Sequence, residues 1–193
     1  DRYNSKNPYS ATKAAGEELT VAYSNTYSLP SLITHCSNVY GERQHVEKFI
    51  PNTIKKILSN EEIIVHTDSN NIPGSRYYLY NEDLAKTILF LIQNHKKAEE
   101  RNFELVNTGP PKVNISGSSL ISNLEVVELV GKYLNKEFNY KLVQNDPKRP
   151  GHDIKYGLDT ELLNSLGGVF DRDFEEGLKN IVDFHTNNEA WYL

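Results

Sequence analysis

The sequence predicts an α/β fold built on a largely parallel sheet. Three observations carry this expectation. Short β-branched runs alternate with longer segments whose apolar residues recur at three and four. Clusters of Gly, Pro, Asn and Ser separate the two kinds of segment. The alternation persists through much of the 193 residues, which is the pattern of strand and helix units feeding strands that run the same way.

The first helix is expected from Tyr9 to about Tyr27, with Ala11, Ala14, Ala15, Leu19, Ala22 and Tyr23 along one face. It stops before Ser28–Pro30. "SLITHCS" (31–37) reads as a short buried strand, and "NVYGER" (38–43) as a loop turning at Gly41. "FIPNTIKKILSN" is a second amphipathic helix that tolerates Pro51 in its first turn. "EIIVHT" is a strand, "DSNNIPGS" a loop and "RYYLY" another strand. "NEDLAKTILFLIQNH" is a helix capped by Asn81, with Leu84, Ile88, Leu91 and Ile92 as its stripe. "NFELVN" (102–107) reads as a strand and "PPKVNISGSSLIS" (110–122) as a polar, turn-rich loop. "SNLEVVELVGKYLNK" opens with Ser122 and Glu125 at capping-box spacing. After "NYKLV" comes "QNDPKRPGHD", a polar loop with two prolines. A short helix around Leu162 to Leu166 and a last helix within "DFEEGLKNIVDFHTNN" close the chain.

Composition narrows the function classes. With 38% apolar residues and a mean hydropathy of -0.58, the chain can bury a core and belongs to the globular class. Its net charge of -5, from 21 basic and 26 acidic residues scattered along the chain, argues against nucleic acid or an anionic membrane as the main partner. The longest apolar run, Ile88 to Ile92, is far below the roughly 20 residues of a membrane span. A single cysteine, Cys36, excludes an internal disulfide framework and a Cys-based zinc site, and fits a reducing compartment such as the cytoplasm. No metal site is expected. The chain opens on Asp1, carries no methionine and no secretory leader, and is expected to be a piece of a longer protein.

The chemistry-bearing stretch is "NPYSATKAA". Positions four apart share a helix face, so Tyr9 and Lys13 project side by side. An ammonium beside a phenol favours the phenolate, and such a tyrosine can exchange a proton with an alcohol or ketone near neutral pH. Tyr-x-x-x-Lys is common by chance, and the pair gains meaning from its company.

"PYSATKAAGEELTVAY", "HCSNVYG", "EKFIPNTI", "RYYLYNEDLAKTILFLI" and "RPGHDIKYGLD", in this order, resemble the C-terminal portion of an extended short-chain dehydrogenase/reductase, and most of all the nucleotide-sugar 4,6-dehydratases. The resemblance covers nearly the whole chain. It implies the C-terminal part of a Rossmann-type NAD-binding domain, a parallel sheet with flanking helices, interleaved with a small α/β substrate-binding domain. The first would take residues 1–41 and 76–108, and the sugar-nucleotide domain 42–75 and 109–193. It implies NAD as cofactor, a nucleoside-diphosphate sugar as substrate, and a homodimer.

By the same resemblance Tyr9 would be the base at the sugar 4-hydroxyl, and Lys13 would hold the nicotinamide ribose. Cys36 and Asn38 would lie against nicotinamide and substrate. Glu47 and Lys48 would line the substrate pocket, Arg76 and Arg149 would bind the diphosphate, and His152 and Asp153 would stand beside the nucleotide. His66 takes the place of the family's usual base-stacking aromatic residue, and Ser119 that of an asparagine ligand, so the base and sugar stay open. The glycine-rich dinucleotide turn and the upstream carboxylate pair do not occur in this sequence. A 4-epimerase, a UDP-glucuronate decarboxylase, and a non-catalytic sugar-nucleotide-binding module are the alternatives.

Overall fold

The computed structural model describes residues 5, 7–106, 109–144, 157–188 and 191. Helix α1 (Pro8–Tyr27) leads into β1 (Ile33–Cys36) and β2 (Asn38–Tyr40), followed by α2 (Phe49–Leu58), β3 (Ile63–Thr67) and β4 (Ser75–Tyr80). Next come α3 (Asn81–Gln93), α4 (His95–Val106), β5 (Lys112–Ile115), β6 (Leu120–Ser122) and α5 (Asn123–Leu134). Strand β7 (Tyr140–Gln144), α6 (Glu161–Leu166) and α7 (Phe174–Asn187) complete the order.

The expected parallel character is present. β1 pairs with β5, β2 with β4, and β3 with β7, all parallel, while β6 runs antiparallel on β4. β3 shows the alternation of a one-sided strand: Ile63, Val65 and Thr67 are buried, Ile64 and His66 exposed.

Two apolar clusters hold these elements. One joins Ile50, Ile54 and Ile57 of α2, Val65 of β3, Val126 and Val130 of α5, and Leu178 and Ile181 of α7. The other gathers Leu91, Ala98, Val113, Ile115, Leu163 and Leu166. Strand β4 feeds both, because successive side chains leave a strand on opposite faces: Tyr80 enters the first cluster and Leu79 the second.

Five expectations need correction. Asn38–Tyr40 is a strand and not a loop, since Tyr40 is buried and Asn38 registers with Tyr78. "NFELVN" is helical through Val106: Ala98 and Asn102, one turn apart, are both buried, and α4 continues along that face. The place beside β1 goes to β5, whose Val113 and Ile115 supply the buried alternation, so the expected loop 110–122 contains two strands. Asn81 is the first residue of α3, and the cap position belongs to Tyr80. The stripes on α1 and α3 are weaker than their spacing suggests. α1 buries no residue, and Ile88 and Ile92 of α3 are exposed. By contrast, the Ser122/Glu125 capping box forms as its spacing implies.

Candidate active site

Asn7–Ser10 start α1 for a local reason. The Ser10 amide donates to Asn7 Oδ1 at 2.9 Å, the Asn7 amide donates to Ser10 Oγ at 3.4 Å, and Pro8 supplies a preset φ in the first turn. Tyr9 therefore lies in the opening turn, with Lys13 one turn further along the same side. Both are exposed, Tyr9 at 72%. A phenol and an ammonium presented together in this way are free to meet a ligand.

A carboxylate holds this helix to the sheet. Glu17, one turn beyond Lys13, reaches His35 Nε2 on β1 at 2.8 Å and Lys112 Nζ on β5 at 2.7 Å. His35 Nδ1 meets Asn114 Oδ1 at 3.1 Å, and Asn114 Nδ2 donates to the Asp159 carbonyl at 2.7 Å. The parallel register sets His35 opposite Asn114, which puts both under the helix. None of these four side chains was singled out in the sequence; the available signal was Glu17 at the next four-residue step after Tyr9 and Lys13.

Cys36 and Asn38 close β1 and open β2. Cys36 packs against the cluster of Leu79, Leu91 and Ile115. Burial pushes its thiol up, against a hydrogen bond with Thr34 that pulls it down, so it is a poor nucleophile. The turn after Asn38–Tyr40 is tied down from below. Tyr80 donates to Glu42 at 2.5 Å, and burial together with that carboxylate pushes the phenol up to about 12. The Arg172 guanidinium lies 4.5 Å from the Tyr80 ring centre and bonds Glu82 at 3.0 Å.

Glu47 and Lys48 are exposed at the entrance to α2, with Glu47 3.8 Å from His45. His66 is exposed on β3, opposite Val143. Arg76 is buried at the start of β4, where Nη1 donates to the Ser75 carbonyl at 2.7 Å. The loop between them folds back: the Gly74 amide donates to the His66 carbonyl at 3.2 Å, and Asp68 Oδ1 accepts from the Asn70 and Ile72 amides at 2.8 Å. His66 and Arg76 thus flank one closed turn. Ser119 is exposed just before β6. Arg149, His152 and Asp153 lie outside the described residues. Among the described residues, no group of three His, Cys, Asp or Glu side chains is placed to hold a metal ion, and no helix is long and apolar enough to cross a membrane.

The model of the NAD dependent epimerase/dehydratase family matches residues 1–109, more than half of the chain. The chain belongs to this family. The epimerase/dehydratase chain is 36% identical over 188 residues to a trifunctional UDP-glucose 4,6-dehydratase/UDP-4-keto-6-deoxy-D-glucose 3,5-epimerase/UDP-4-keto-L-rhamnose-reductase of Arabidopsis thaliana, covering 96% of this chain and 25% of that enzyme. It is 30% identical over 202 residues to a dTDP-glucose 4,6-dehydratase of Escherichia coli, covering 98% of this chain and 51% of the enzyme. Among solved structures it superposes on dTDP-glucose 4,6-dehydratase from Bacillus anthracis, in complex with NAD, with a TM-score of 0.80 at 27% identity, over 99% of this chain and 56% of that one. The chain therefore spans about half the length of these bacterial relatives. The Rossmann-type α/β architecture expected for an epimerase/dehydratase is borne out by this superposition and by the parallel pairings.

Proposed function

We propose that the full-length protein is an NAD-dependent 4,6-dehydratase of a nucleoside-diphosphate glucose, of the dTDP or UDP type. The single observation that carries this reading is the Tyr9/Lys13 pair, presented open to solvent at the capped start of α1. The likeness to 4,6-dehydratases over nearly the whole chain supports it.

The exposed Lys13 ammonium and Tyr9 phenol suit the nicotinamide-ribose end of the cofactor. Among the described residues no glycine-rich turn opens a helix toward a pyrophosphate, so these residues fit one end of NAD only. NAD, held there, would supply the hydride acceptor for sugar C4 and the hydride donor for C6. Tyr9 takes the proton of the C4 hydroxyl, and Lys13 holds the ribose hydroxyls and favours the phenolate. The C4 ketone so formed acidifies the C5 proton, which leaves with the C6 hydroxyl as water; hydride delivered to C6 and a proton returned to C5 would then give the 4-keto-6-deoxy sugar. In this reading Asn38, Glu47, Lys48 and His66 serve the sugar-nucleotide side and Arg76 the diphosphate, and the family resemblance assigns diphosphate and nucleotide roles to Arg149 and His152. Cys36 and Asn38 border the nicotinamide.

Residues 1–41 and 76–108 form the cofactor-side unit and 42–75 and 109–193 the sugar-nucleotide unit in this reading. β5 and α6 pack with the former. Leu19, Tyr23 and Tyr27, spaced by four and exposed at 61%, 55% and 64%, offer α1 a surface for a second copy, which supports a homodimer. The free thiol of Cys36 accords with the cytoplasm.

The test is incubation of the full-length protein with NAD and dTDP-glucose or UDP-glucose. A product lighter by one water, with a 4-keto-6-deoxy sugar, is the expected result. A product of unchanged mass inverted at C4 overturns the dehydratase reading.

A further inference from the structure

The contact of α1 with the sheet is polar. This helix buries no residue, yet Glu17 is 13% exposed and bridges both strands of the β1–β5 pair. Its oxygens are occupied separately, Oε1 by Lys112 and Oε2 by His35, so both act as acceptors. The His35 ring is held from the other side by Asn114, whose amide orientation is fixed because Nδ2 donates to the Asp159 carbonyl. Oδ1, an acceptor, is therefore what faces Nδ1. Both ring nitrogens meet acceptor oxygens, and both contacts form only when the ring carries two protons. The charged groups around this ring are Glu17 from α1 and Lys112 from β5, with Glu18, Asp159 and Glu161 lining the cavity beyond Lys112 and Asn114.

We propose that Glu17 is the positioning residue of the Tyr9–Lys13 face: clamped between Lys112 and His35, its carboxylate fixes the rotation of α1 over the sheet. Tyr9, Lys13 and Glu17 follow at steps of four, so a turn of the helix about its axis at Glu17 carries the phenol and ammonium with it. Apolar packing sets that angle only weakly, because the inward apolar side chains of the helix, Ala14 and Val21, are only half-buried. This inference rests on the dehydratase reading for its kinetic consequence but not for its structural one.

Two measurements on the full-length protein test it. Glu17→Gln keeps the shape of the side chain and removes its charge; His35→Gln removes the ring partner from the strand side. Each variant is expected to lose about tenfold or more in kcat, as misplacement of a reacting group by a fraction of a bond length does. KM for the nucleotide sugar stays within about twofold. In NMR spectra the His35 and Tyr9 ring resonances are both expected to shift in Glu17→Gln. Wild-type kcat in both variants, or unshifted Tyr9 resonances in Glu17→Gln, overturns the proposal. Should no nucleotide sugar turn over even with the wild type, the dehydratase reading falls alone and the spectra decide: unshifted Tyr9 resonances in Glu17→Gln then overturn the Glu17 assignment.

Discussion

The Tyr80 hydroxyl donates to the Glu42 carboxylate at 2.5 Å, linking the last residue of β4 to the turn that leaves β2. Tyr80 is buried and its acceptor is a carboxylate, the stronger class of hydrogen-bond acceptor. Tyr80→Phe should destabilise the chain by about 1.5–3 kcal/mol, the range for a hydrogen bond to a charged group. Urea unfolding checks this, and an unchanged midpoint would show that the pair is replaced by water.

Tyr9→Phe removes only the phenolic oxygen from an exposed position. In the full-length protein it should lower turnover about 100-fold or more while NAD stays bound, because proton transfer by a placed acid/base contributes at least that much. A variant that keeps most of its activity would remove Tyr9 from the reaction.

Arg76 is buried beside the closed turn from His66. If its guanidinium serves the diphosphate, Arg76→Lys should raise KM for the nucleotide sugar about tenfold and leave kcat nearly unchanged, since a point charge replaces a two-pronged donor. Equal KM values for the two proteins would place the diphosphate elsewhere.

At Gly117 an added β-carbon would strike the backbone carbonyl of Tyr78. That carbonyl belongs to β4, which is paired with β2 at this residue and cannot retreat. Gly117→Ala should therefore cost about 1–3 kcal/mol through overpacking, seen as a lowered thermal midpoint. A midpoint equal to that of the wild type would mean that the two segments separate without penalty.

His185 of α7 is fully buried, and burial pulls its imidazole down, with Glu42 opposing. The unfolded chain then takes up the proton before the folded one does. The stability that this ring contributes is complete above the unfolded histidine value of about 6.5 and is lost as pH falls toward the lower folded value. Thermal midpoints should drop on acidification through this window, and less steeply in His185→Leu. Parallel pH slopes in the two proteins would assign the effect to other groups.

Sequence reading succeeded where the cause is local. The Ser122/Glu125 cap, the alternation through Ile63–Thr67 and the four-residue step from Tyr9 to Lys13 each depend on neighbours within one turn or one strand. It failed where a partner decides. "NFELV" suits a strand or a helix, and only the buried face shared by Ala98 and Asn102 settles it. "KVNI" looks polar because Lys112 and Asn114 point toward α1, and their use is visible only once Glu17 stands above them. The Arg172–Glu82 bond joins residues ninety apart, beyond any motif.

The absence of buried side chains from α1 bears on how its backbone opens. No α1 residue belongs to either apolar cluster, so α1 should open as a cooperative unit of its own, separate from global unfolding. Amide exchange in α1 should then follow a low local opening energy, while α5 and α7, with Val127 and Ile181 fully buried, exchange only near the global limit. The protection of α1 amides becomes a gauge: whatever slowing it gains in the whole protein measures, in free energy, how firmly further surface is seated against the helix that carries Tyr9 and Lys13.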